Sequence, residues 1–190
     1  MKLRYEKIDK NNVIIAAKIQ YQIFPNSCAY SYYLENMNKK GLPLDLLVYF
    51  DNEPIGVIGL YEINNFSDTV WLSWFGILEK YRNNGIGKKM IDDIKEIAKK
   101  YNKKFLRLYT YEVWNSIAQP FYEKVMEIGE YYYNEKENQD DIKLGKPKIY
   151  GVSLCNEKIK GWNDKFINIT EEDNVHKESL MLMKQQKIIK

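Results

Sequence analysis

Apolar positions fall into short alternating runs, broken by a few stripes of helical period. Leu3 to Ile8 alternates and predicts a first strand. Asn11 or Asn12 can cap a helix running to about Ile23, with Ile15, Ala16, Ile19 and Ile23 on one face. Pro25 and Asn26 interrupt it, and an aromatic segment from Tyr30 to Met37 ends near Gly41. Leu46 to Phe50 and Ile55 to Ile63 read as the arms of a hairpin turned by Asp51-Asn52-Glu53-Pro54. A third strand is expected from about Thr69 to Leu78. The clearest helix follows Gly85, where Ile86, Met90, Ile94, Ile97, Ala98 and Tyr101 recur at steps of three and four. Phe105 to Tyr111 alternates again, Phe121 to Ile128 has a helical pattern, and Glu130 to Asn134 and Lys148 to Leu154 predict two last strands.

This order is strand, two helices, three antiparallel strands, helix, strand, helix, two strands. It predicts a mixed α+β sheet rather than the repeated βαβ of a doubly wound fold. We expect a main domain over residues 1–155 and a C-terminal extension over 156–190. In the extension, Thr170-Glu171-Glu172-Asp173 resembles a helix start with acids in its first turn, and Val175, Leu182 and Ile189 would form a sparse stripe. A docked helix and a frayed tail are both compatible with it.

Composition narrows the chemistry. The 190 residues are 45% hydrophobic and 14% aromatic, enough for one packed core. Lys+Arg 29 against Asp+Glu 26 gives a net charge of +3, which does not point to a nucleic-acid partner. The chain starts without the apolar run of a signal peptide, and no stretch approaches the ~18 apolar residues of a membrane span. A cytoplasmic protein without a membrane partner is expected. Cys28 and Cys155 have no metal-ligand spacing, and His176 is the only histidine, so neither a metal site nor a Ser-His-Asp or Cys-His triad is expected.

One motif carries chemistry. Arg82-Asn83-Asn84-Gly85-Ile86-Gly87 joins an apolar strand to the strongest helix. Amides of a helix's first turn lack intrahelical partners and the dipole favours an anion there, while glycines keep Cβ atoms out of the way. A Walker A loop would need glycine where Arg82 stands, and a dinucleotide fingerprint would need it at Met90. Arg-x-x-Gly-x-Gly between strand and helix resembles the motif of the GNAT N-acetyltransferase family. A second match lies downstream, where Asn115 precedes Tyr122 by seven residues. The resemblance covers roughly residues 1 to 154 in element order.

That resemblance implies a mixed, mostly antiparallel sheet splayed between its fourth and fifth strands and flanked by helices. It implies acetyl-coenzyme A as cofactor and an N-acetyltransferase activity. The main chain of Phe75, Gly76 and Ile77 would pair with the pantetheine arm. Arg82, Asn83, Asn84, Gly85, Ile86, Gly87 and Lys88 would wrap the pyrophosphate. Asn115 would contact the pantetheine or cap the next helix, and Pro120 would set where that helix starts. Tyr122 would protonate the departing thiolate as general acid. Family members often place a glutamate base where this chain has Trp71 or Thr110; Glu112 is the replacement candidate, alongside a water relay. The acceptor would be a small-molecule or peptide amine, met by a region rich in aromatics, Tyr21, Phe24, Tyr30, Tyr32, Tyr33, Trp71 and Trp74, of which some would line a pocket and most would be core. A homodimer is one assembly open to such a domain, and a non-catalytic acyl-coenzyme A binding or sensing module is the alternative reading.

Overall fold

The Asp51-Asn52 turn makes the hairpin around which the first half of the chain is organised. Both residues adopt positive φ, 47° and 65°, the left-handed pair that matches the twist of a two-residue hairpin. Asp and Asn tolerate that region better than other side chains with a Cβ. The computed structural model describes residues 1–111, 118–131, 147–162 and 171–190. It divides into a first unit, Met1–Tyr61, Leu72–Ile94 and Asn168–Lys190, and a second, Glu62–Trp71 and Lys95–Ile167.

In the first unit β1 (Arg4–Lys7), β2 (Leu44–Phe50) and β3 (Glu53–Tyr61) form an antiparallel meander. One face is covered by α1 (Val13–Ile23) and α2 (Tyr30–Asn36), which bury Val13, Ala16, Ala17, Ile19, Tyr30 and Tyr33 with Leu47 and Val57. The buried stripe of α1 is rotated from the expected one. Ile15 is 42% exposed, and Ala17 and Gln20 are buried in its place. Gln20 is held because its side chain bonds the chain on either side of Cys28, donating to Ser27 O and accepting from Ala29 N.

The single strand expected over Thr69–Leu78 is two. β4 (Thr69–Leu72) stops, Ser73 to Phe75 break the run, and β5 (Gly76–Ile77) resumes against Gly56 and Val57 of β3. A 3-10 turn over Glu79–Tyr81 then leads to α3 (Ile86–Lys100), whose apolar side buries Ile86, Met90, Ile91, Ile94 and Ala98.

The C-terminal helix α5 (Glu171–Gln185) packs on α2. Ser179 and Met183 are fully buried on it, and of the expected Val175, Leu182 and Ile189 stripe, Leu182 and Ile189 pack partly buried against the same core. Polar bonds add to the contact. Ser31 N–H donates to Ser179 Oγ at 2.8 Å, Cys28 N–H donates to His176 Nδ1 at 2.8 Å, and Tyr30 OH donates to Gln186 Oε1 at 2.7 Å. The lone histidine therefore serves as an acceptor at the start of α2.

The second unit is built on β6 (Phe105–Tyr111), β8 (Pro147–Ser153) and β7 (Ile128–Tyr131), paired antiparallel in that order. β4 joins β6 in parallel from Thr69↔Phe105 to Trp71↔Arg107, while β6 itself runs on to Tyr111. Within the units this parallel pair stands against five antiparallel ones, giving the mixed, mostly antiparallel α+β architecture. The helix α4 (Ala118–Val125) ends earlier than its apolar pattern suggested, and Ile128 belongs to β7. Arg107 is buried to 5% exposure, with its guanidinium over Trp162, bonded to Lys160 O at 2.6 Å and 3.9 Å from Glu130. No helix among the described residues is long and apolar enough to cross a membrane.

Candidate functional site

The loop ahead of α3 is shaped by two left-handed residues. Asn83 has φ 63° and Gly85 φ 76°. A Cβ built on Gly85 would meet nothing within 4 Å, so the loop's surface there is open. The helix ladder begins with Lys89 N–H to Gly85 O at 3.1 Å. The amides of Ile86, Gly87 and Lys88 precede that bond and belong to the turn whose N–H groups have no helical carbonyl to reach. They supply the donors and the positive dipole end that an anion such as a pyrophosphate requires. Arg82, Asn83, Asn84 and Gly85 are exposed, whereas Ile86 is buried and anchors the turn.

The two cations differ in what they do. Arg82 Nε donates to Ile77 O at 3.2 Å, which fixes the guanidinium between β5 and the loop. Lys88 is exposed and its Nζ lies 2.9 Å from Asp92, one helical turn on. Such surface pairs contribute little, and the side chain of Lys88 is directed along α3. Lys89 pairs with Asp93, which also accepts from Tyr5 OH at 2.8 Å.

Phe75, Gly76 and Ile77 lie at the break and in β5. Gly76 is there for close approach: a Cβ on it would fall 2.5 Å from Ile23 and 2.9 Å from the Phe24 ring. Among the described residues β5 has one strand partner, β3. Its outer edge can accept an extended chain as an added strand, through main-chain bonds alone. Loop and edge could hold an anionic group and an extended amide-bearing chain, respectively.

In the second unit Tyr122 is the buried residue of α4, 7% exposed. Ala118, Gln119 and Pro120 form the first turn, where a proline's missing N–H costs nothing. Tyr122 packs against Phe121 and Tyr150, each ring 5.5 Å away. Burial, with a smaller contribution from Tyr150, pushes its phenol well above the usual range. It is a neutral donor at any physiological pH. Asn115 and Glu112 lie outside the described residues. Trp71 is fully buried among Tyr109 and Trp162, so it is core. Tyr30 and Tyr33 are core as well, and Phe24 pairs with Trp74 at 6.0 Å.

One polar group escaped the sequence reading. Asp45 sits in the otherwise apolar Leu44–Phe50 strand and is 7% exposed. Ser73 Oγ, at the break between β4 and β5, donates to its Oδ1 at 3.3 Å. Burial raises the Asp45 carboxyl to about 7, against the lowering effects of the Ser73 bond and Lys7. A charge at an inward position of an apolar run was the signal available.

Comparison with known proteins gives a consistent result. The model of the acetyltransferase (GNAT) family matches residues 15–127. A search of curated proteins found no match. Among solved structures, the chain is similar to the ribosomal-protein-S18-alanine N-acetyltransferase from Escherichia coli, at 13% identity and TM-score 0.61, over 87% of this chain and 100% of that one. It is similar to a Bacillus subtilis acetyltransferase in complex with CoA, at 21% identity and TM-score 0.59, over 81% and 100%. A GNAT family acetyltransferase from Elizabethkingia anophelis with acetyl-CoA bound gives 19% identity and TM-score 0.58, over 80% and 97%. At these identities the structural likenesses establish the fold.

Proposed function

The chain belongs to the acetyltransferase (GNAT) family, and we propose that it moves an acetyl group from acetyl-CoA to a primary amine by direct attack, with Tyr122 as general acid. It is an acetyltransferase, and acetyl-CoA is its acyl donor. Bound acetyl-CoA supplies an acetyl group activated as a thioester. The amides of Asn83 to Lys88, with Arg82 beside them, would hold the pyrophosphate. The main chain of Phe75, Gly76 and Ile77 would hold the pantetheine arm as an added strand. Asn115 is kept as a contact to that arm. No Cys-His pair is required, because the amine attacks directly.

Tyr122 donates its phenolic proton to the sulfur as it leaves. A thiolate expelled without a proton is a poorer leaving group, and a positioned acid contributes ~10²–10⁴-fold. The observation that carries the reading is the loop ahead of α3, where left-handed Asn83 and Gly85 lead into the first helical turn and a Cβ on Gly85 would meet nothing within 4 Å. The acceptor is proposed to be a small-molecule or peptide amine.

The test is an acetyl-CoA turnover screen against amino acids, polyamines, aminoglycosides and peptide N-termini, followed by Tyr122→Phe. We expect kcat to fall roughly 10²-fold with KM for acetyl-CoA little changed. Unchanged kcat would remove Tyr122 from the role. Because burial keeps the phenol protonated, we also expect no alkaline limb from it below about pH 10.

A further inference from the structure

An alkylammonium must lose a proton before its nitrogen can attack a carbonyl. The first unit holds a group suited to receive it. Asp45 is buried in β2 with its Oδ1 3.3 Å from Ser73 Oγ. Ser73 is half-exposed and lies next to Trp74 and Phe75 at the interruption between β4 and β5. Gly59 stands opposite Asp45 in the β2–β3 ladder. A Cβ on Gly59 would lie 2.1 Å from Ser73 Oγ and 2.5 Å from Asp45 Oδ1. Any other residue at 59 would therefore separate the pair. On its other side Asp45 borders a narrow cleft walled by Lys7, Tyr33, Asn36 and Pro43.

We propose that Ser73 and Asp45 form the proton relay that activates the acceptor amine. Ser73 Oγ takes a proton from the ammonium while its own proton passes to Asp45 Oδ1. The N–H bond breaks, the Asp45 O–H bond forms, and the nitrogen keeps the electron pair for attack. Ser73 ends as it began, and Asp45 later returns its proton to water. Amide formation releases a second proton from nitrogen, which passes through water to the Tyr122 phenolate left by protonation of sulfur, so one of the two protons ends on the thiol and one in solvent. The proposal rests on the N-acetyltransferase reading and assigns its acceptor side an alkylammonium ligand. It replaces Glu112 as the candidate base.

The surroundings suit the task. Burial holds the carboxyl near 7, so the base is about half ionised at neutral pH. Lys7 faces it from β1, and Tyr32 and Tyr33 face it from α2, with Tyr61 of β3 and Glu35 coupled through Tyr32. Both α2 tyrosines are pushed up by burial and stay neutral, which leaves Lys7 as the counter-charge.

The experiment compares the full chain with Asp45→Asn, Ser73→Ala and Glu112→Gln, using acetyl-CoA and an amine selected by the acceptor screen. For the wild type we expect an acid limb in kcat/KM near pH 7. Asp45→Asn should lose that limb and fall about 100-fold at pH 7, then recover towards pH 10 as the amine deprotonates in solution. Its affinity for acetyl-CoA, measured by calorimetry, should stay within about twofold of the wild type. Its melting temperature at pH 8 should rise, since a buried charge is removed. The relay is overturned if Asp45→Asn keeps the wild-type profile, if it loses activity equally at every pH, if it melts lower at pH 8, or if Glu112→Gln abolishes the limb instead. A wild type that acetylates no amine would count against the acetyltransferase reading itself, while the melting comparison still judges the pair.

Discussion

At the residue scale, the loop ahead of α3 separates backbone from side-chain contributions. Gly85 sits at φ 76°, a region that a β-branched residue enters only with strain. Gly85→Val should turn the first-turn amides away from their common point, and we expect the Kd for CoA to rise at least tenfold by calorimetry, against about 1–3 kcal/mol of backbone strain. Lys88→Ala should change that Kd by less than about threefold, because its ammonium is exposed and engaged with Asp92. A large loss from Lys88→Ala with a small one from Gly85→Val would reverse the assignment. The glycines and Arg82 were legible because their spacing is local to one turn. Asp45 and Ser73 were not, because they are 28 residues apart and meet only when β2 and the segment after β4 lie beside Gly59.

At the element scale, the sequence was most readable where one face of an element meets one kind of neighbour. The α3 stripe from Ile86 to Ala98 and the limits of β6 follow from such simple faces. Elements with mixed surroundings misled. Ser179 on α5 is fully buried because Ser31 donates to it, which no apolar count anticipates. Arg107 is inward on β6 because Trp162 and the Lys160 carbonyl cover it. After the break, Gly76 of β5 leaves no room for a Cβ beside Ile23 and Phe24, residues over fifty positions upstream that no local pattern brings to it. The docking of α5 yields a prediction of its own. Met183 is fully buried with its sulfur 3.3 Å from that of Cys28. Met183→Ala should destabilise the fold by about 2–5 kcal/mol in urea unfolding. It should also make the Cys28 thiol, now inaccessible, react faster with a thiol reagent. Unchanged labelling in a destabilised variant would mean that α5 does not protect Cys28.

At the scale of the whole molecule, a buried carboxyl links stability to pH. Asp45 titrates near 3.8 when unperturbed and about 7 when folded, so between those values the folded chain binds more protons than the unfolded one. Stability from this group is then full below about pH 4 and declines as pH rises to about 7, the reverse of an ion-paired aspartate. The shift corresponds to roughly 4 kcal/mol, a ceiling because the interior relaxes around a buried charge. Asp45→Asn keeps the shape and removes the titration. Its stability relative to the wild type should therefore climb with pH across that window and level off above it. Urea unfolding of both proteins at pH 5, 6, 7 and 8 measures the difference directly. A flat difference would mean that Asp45 does not carry its charge at the expense of the fold. A rising one would show that the chain retains a buried group that costs it stability under working conditions, the trade that a role in proton transfer would account for.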